Sequence, residues 1–260
     1  GSTSSSTVIA TAGSHQPTYA GGAGDNFLVK FNSNGVRIWG TYYGGTGYEH
    51  SAYCAVDNSG NVFMAGSTTS STAGISTSNS HQNAKNGSYD AFLVKFNPNG
   101  IRVWGTYYGG AGVDWAFGVS ADSNGDVAIS GSTGSTTNIA TPGAHLTQKS
   151  TRTSDDGFIT KFSSNGTRLW GSYTAGRSSS VTFDLNNNII TAGSCGNITG
   201  IATVGSHQPV YGGGNWDAFV EKFNSSGIKV WGTYCGGTDT EEGSSCSADN
   251  SGNIYLTGYT

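Results

Sequence analysis

Charge is scarce in this chain of 260 residues, with only 11% of them Asp, Glu, Lys or Arg. There is no basic run and the net charge is −4. The electrostatic footprint that nucleic acid demands is therefore missing, and nucleic-acid binding is not expected. Proline is limited to 4 residues, which argues against a collagen-like or Pro-rich disordered chain. The 4 cysteines are too few for a disulfide scaffold, and no C-x-x-C pair offers a zinc or redox site. No apolar run approaches the roughly 18 residues that cross a bilayer, so membrane insertion is not expected. The chain opens on Gly1-Ser2 where an initiator methionine would stand, which suggests a processed protein or a cleavage scar.

What is plentiful points to β-structure. Glycine numbers 42 and aromatic residues make up 12% of the chain, a composition that favours turns and pleated surfaces over helices. A repeat runs through it. Asp25-Asn-Phe-Leu-Val-Lys-Phe returns as Asp90-Ala-Phe-Leu-Val-Lys-Phe, Asp156-Gly-Phe-Ile-Thr-Lys-Phe and Asp217-Ala-Phe-Val-Glu-Lys-Phe. A Trp-Gly pair follows each, at Trp39, Trp104, Trp170 and Trp231, with spacings of 65, 66 and 61 residues. Turns at Asp57, Asp122, Asp184 and Asp249 complete each copy.

Four short segments per copy alternate with period two, the signature of half-buried strands. Asn34-Gly35 and Asn99-Gly100 predict tight primed hairpins. Four antiparallel strands repeated at near-constant spacing predict an all-β propeller of four blades. The copies span about 25–89, 90–155, 156–216, and 217–260 joined to 1–24. The chain ends on a fourth strand and starts in the linker that follows one, so a ring closed by pairing of the N- and C-terminal strands is expected.

The run Asp90 to Phe96, then Val103-Trp104-Gly-Thr-Tyr-Tyr-Gly-Gly, Asp122-Ser-Asn-Gly, Gly131-Ser-Thr and Ile139-Ala-Thr-Pro-Gly-Ala-His145 resembles the SBBP-type β-propeller repeat of bacterial secreted and surface proteins. The resemblance covers nearly the whole chain. It implies the propeller fold and an extracellular or cell-surface address, and it brings no established chemistry.

By analogy with related propellers, the strand at Ala52 to Val56 lines the channel and the Trp strand lies outermost. The long linkers then share one face. Functional residues concentrate on loops held by a rigid scaffold, so this face is the candidate surface. Tyr19, Tyr89, Tyr211 and Trp216 would be its stacking groups for a glycan or a surface protein, with His15, His81, His145 and His207 beside them. The alternative is that these residues brace each linker against its blade. Glu49, Asp114 and Glu241 each follow their Trp by ten residues. If they converge they could hold Ca²⁺ through oxygen ligands; otherwise each caps a turn, and no cofactor is expected.

Two roles follow from this reading. One is a binding or adhesion module; the other is a structural subunit or spacer of a larger surface assembly. An enzyme is not expected, because catalysis needs an asymmetric set of groups with distinct roles, and the recurring residues are symmetric.

Overall fold

A computed structural model describes residues 1–71, 74–150, 156–196 and 199–260. The linker positions 72–73, 151–155 and 197–198 lie outside the described residues. The fold is all-β, with seventeen strands in five sheets and no helix among the described residues.

The first sheet holds β1 (Ser2–Thr3), β2 (Asp25–Phe31) and β3 (Arg37–Tyr43). The second pairs β4 (Glu49–Val56), β5 (Val62–Thr68), β6 (Asp90–Phe96) and β7 (Arg102–Tyr108) in that order. The third repeats the plan with β8 (Asp114–Ala121), β9 (Val127–Thr133), β10 (Asp156–Phe162) and β11 (Arg168–Thr174). The fourth does so with β12 (Arg177–Phe183), β13 (Ile189–Cys195), β14 (Asp217–Phe223) and β15 (Lys229–Cys235). A last pair, β16 (Glu242–Ala248) and β17 (Ile254–Tyr259), stands alone. All strand pairs are antiparallel, and each sheet combines the end of one sequence repeat with the start of the next.

Local chemistry fixes the turns. Asp57 Oδ1 accepts hydrogen bonds from the N–H groups of Ser59 and Asn61, and Asp122, Asp184 and Asp249 do the same in their copies. These are Asx turns, which is why Asp recurs there. The Asn-Gly hairpins differ from the primed turns the sequence suggests. Only the glycine is left-handed (Gly35 at φ 77°, Gly100 at φ 79°), and Gly35 N–H donates to Asn32 C=O. The register shifts at Lys30/Phe31. This is a three-residue loop with a glycine bulge, and Asn32 Oδ1 holds it by accepting from Asn34 and Val36 N–H.

Neighbouring sheets are stapled by the repeat's own residues. Trp39 Nε1–H donates to Pro98 C=O (3.0 Å), Trp104 to Ser164 (3.1 Å) and Trp170 to Ser225 (3.0 Å), each in the hairpin turn of the next sheet. The turn glycine lies so close to the indole that a Cβ on Gly100 would fall 2.8 Å from the Trp39 ring. Tyr43 and Tyr108 donate across the same boundary to Ile75 and Ile139 carbonyls. The recurring lysines do more than pack their stems. Lys161 pairs with Asp122 at 2.8 Å and Lys222 with Asp184 at 2.7 Å, while Lys95 lies 5.1 Å from the Phe63 ring centroid.

The outer strands do not present bare edges. Thr77 N–H donates to Gly105 C=O and Tyr107 N–H to Gln82 C=O, so the long linker runs along β7 and takes its free hydrogen bonds. The linkers at Thr11, Thr141 and Thr203 cover β3, β11 and β15 in the same way.

The sheets do not close into the expected ring in this structure. β17 and β2 lie in different sheets. The reason is visible on β2: Thr3 faces Asp25 and Ser2 faces Asn26, the places that Thr68 and Ser67 take opposite Asp90 and Ala91 on β6. Gly1-Ser2-Thr3 thus behaves as a copy of Gly66-Ser67-Thr68 rather than as foreign sequence.

Candidate functional site

Three of the four linker histidines pack their rings against the next sheet. His15 packs 5.8 Å from Phe96 and 6.1 Å from Tyr43, His81 packs likewise on Phe162 and Tyr108, and His145 lies 5.8 Å from Phe223. Burial, with a contribution from Arg102, lowers the His15 pKa to about 4, so the ring is neutral at physiological pH. His207 has no such ring contact among the described residues.

The four linker aromatics form no single platform. Tyr19 O–H donates to Gly22 C=O at 2.9 Å and Tyr211 O–H to Gly214 C=O at 3.0 Å, each tying its own loop. Tyr89 instead stacks on Trp115 at 4.5 Å. Trp216 contributes its carbonyl, which accepts Glu241 N–H at 2.7 Å.

Glu49, Asp114 and Glu241 do not converge. Glu49 accepts from Thr68 Oγ1 (2.6 Å) and Gly45 N–H (3.1 Å), Asp114 from Thr133, from Ser135 Oγ (2.7 Å) and from Gly110 N–H (2.9 Å), and Glu241 from Gly237 N–H (2.8 Å). Each acid holds the Gly-Gly loop of its own repeat. Among the described residues no group of three or more His, Cys, Asp or Glu is placed to hold a metal ion.

Each of these acids does meet another. Asp25, Asp90 and Asp217 anchor the linkers: Asp25 Oδ2 accepts from Gln16 Nε2 and Ala20 N–H at 2.8 Å each, and Asp90 from Gln82, Asn86 and Gly87. The two carboxyls of a repeat then close on one glycine. A Cβ on Gly44 would strike Glu49 Oε2 and lie 2.6 Å from Asp25 Oδ1, and a Cβ on Gly236 would lie 2.8 Å from both Asp217 Oδ1 and Glu241 Oε2. Gly109 sits in the same way between Asp114 and Asp90. The third repeat lacks the second acid, and there the glycine is replaced by Ala175.

Asp25, Glu49, Asp90, Asp114 and Asp217 are fully buried while Glu241 is half-buried, and Asp25 Oδ1 and Asp217 Oδ1 have no donor partner. Two ionised carboxylates cannot hydrogen-bond each other. Burial pushes the Asp25 carboxyl up to about 6, opposed by the Ala20 and Gln16 hydrogen bonds and reinforced by Glu49. Asp90 and Asp114 are raised for the same first reason.

One set of residues escaped the sequence reading. His50, Trp115, Arg177 and Glu242 hold the same step of the four inner strands, facing Ser67, Ser132, Ser194 and Tyr259. The signal was available in three copies as the residue after the acid at Glu49, Asp114 and Glu241, where the chemistry changes from copy to copy; in the third copy, which lacks the acid, Arg177 follows Gly176.

No protein-family model matches the chain, and no curated protein matches it. Among solved structures, a protein of unknown function from Bacteroides caccae is similar over 81% of this chain and 94% of its own, at 11% identity and a TM-score of 0.27. A likeness that distant carries no argument about function.

Proposed function

We propose that the chain is a non-enzymatic scaffold module, a four-bladed propeller that serves as a structural subunit or spacer in an extracellular or cell-surface assembly. In this reading β16–β17 and β2–β3 are the inner and outer halves of one blade. The observation that carries it is the fit between those halves. Phe31 is 58% exposed while its counterparts Phe96, Phe162 and Phe223 are 0% exposed. The hairpin turn at Gly35 has no indole against it, whereas Gly100, Gly166 and Gly227 each do. Trp231 and His207, at the opposite end of the array, are the residue types that cover those positions elsewhere.

The repeat register supplies the pairing. Val62 faces Phe96 and Met64 faces Val94 on β5 and β6; the equivalent partners are Ile254 with Phe31 and Leu256 with Val29. Completing it to Thr260 requires Gly1–Thr3 to leave β2. A common axis is supported by a cavity lined by all four Asp turns, including Asp57, Asp122, Asp184 and Asp249. The resemblance to SBBP-type repeats supports the surface address. Because His15, His81, His145 and the linker tyrosines are spent on bracing, the geometry favours the spacer over adhesion to glycan or protein through those side chains.

The test is a cross-link. With Cys54 and Cys235 replaced, V29C and L256C should form an intramolecular disulfide in a monomer. Cross-linked oligomers alone, or no cross-link, would refute closure. A surface partner lost on changing Tyr19 and Tyr211 to Phe, with folding intact, would return the role to adhesion.

A further inference from the structure

The chain repeats itself nearly everywhere, which makes a position that refuses to repeat informative. The first exposed step of the inner strands carries an imidazole, an indole, a guanidinium and a carboxylate: His50, Trp115, Arg177 and Glu242. A β-bulge follows within two residues in every copy, a device that re-aims side chains at sheet ends.

Contacts make these groups neighbours. His50 meets Trp115 edge-on at 5.1 Å, and Tyr89 stacks beneath the indole at 4.5 Å. Two residues along β8 from Trp115, Phe117 carries Arg177 4.3 Å over its ring, a stacked geometry that holds the guanidinium plane. Glu242 faces the exposed Tyr259 across the β16–β17 pair, and it raises the pKa of that phenol while the charge of Arg177 lowers it. His50 and Arg177 are exposed. Among the described residues neither they nor Glu242 forms an ion pair, although Lys161, Lys222 and Lys229 elsewhere do. None of the three takes part in the inter-sheet hydrogen bonds and ion pairs that brace the scaffold.

We infer that this rim is a binding site for an acidic sugar, a hexuronic acid unit of an extracellular polysaccharide. Trp115 offers the apolar face of a pyranose an aromatic wall. Arg177, pre-oriented by Phe117, takes the carboxylate as a two-point hydrogen bond. Glu242 and His50 accept and donate to hydroxyls. The site stands on contacts between consecutive sheets and does not require the ring to close, so it is independent of the propeller reading.

The test is calorimetric titration of the intact chain with a trisaccharide of hexuronic acid and, in parallel, with its carboxyl-reduced neutral counterpart. The acidic sugar should bind with a change in tryptophan fluorescence and the neutral one at least tenfold more weakly. R177Q and W115A should each lower affinity tenfold or more, while R177K, which keeps the charge and loses the fork, should fall between. Thermal unfolding of each variant checks that the scaffold is intact. No binding of the acidic trisaccharide at millimolar concentration, equal binding of the neutral one, or an R177Q affinity within twofold of the parent would each overturn the assignment.

Discussion

Replacing Asp25 by Asn asks directly whether the buried acid pair keeps a proton. Asp25 is raised from 3.8 to about 6 by burial and by Glu49, so the folded chain binds this proton more tightly than the unfolded one. The stability it contributes is complete below the unfolded value and is lost as pH climbs through the folded one. At about 1.36 kcal/mol per pKa unit, the loss between pH 3 and 7 comes to about 3 kcal/mol. Asparagine cannot titrate; its amide can donate to Glu49 while its oxygen accepts from Gln16 and Ala20. In urea unfolding at successive pH values, the parent should lose about 3 kcal/mol relative to D25N across that window. A parent-minus-variant difference that stays constant from pH 3 to 7 would show that the two carboxyls share no proton.

The other expectations concern packing. Gly44→Ala drives a methyl into both carboxyls and should cost about 2–3 kcal/mol in chemical denaturation, whereas Ala175→Gly, in the repeat without the second acid, should cost about 1 kcal/mol or less. Trp104→Phe removes the indole hydrogen bond to Ser164 and should lower stability by about 1 kcal/mol beyond its change in volume. Trp231→Phe should match that cost if β2–β3 docks on β15, and should be near neutral if the array stays open.

Much of the fold was legible because the repeat writes it four times. Period-two alternation around Phe27 and Phe92 marked the strands, and the Asp-x-x-Gly turns marked their connections. The Asn-Gly hairpins were located but mistyped, since Asn32 and Asn97 set a longer loop from two residues upstream. The linker tyrosines and histidines carried the right residue types for a binding face, yet composition cannot tell an outward ring from one braced on the next sheet. Asp25 and Glu49 were read as separate residues because they lie far apart in sequence, although the same interval recurs at Asp90 with Asp114 and Asp217 with Glu241. The rim at His50, Trp115, Arg177 and Glu242 was hidden by the opposite effect. A search for what recurs passes over what changes.

The linkers that seal β3, β7, β11 and β15 govern how copies of the chain can meet at high concentration. A protein so rich in strand and so poor in charge would ordinarily adhere sideways, rim to rim, through open backbone. Here the outer strands β3, β7, β11 and β15 are already hydrogen-bonded to their own linkers, and the outer edge that remains unpaired belongs to β17. An incoming strand therefore finds backbone to pair with at β17 and not along those four outer strands, so copies that meet through the covered strands share no ladder.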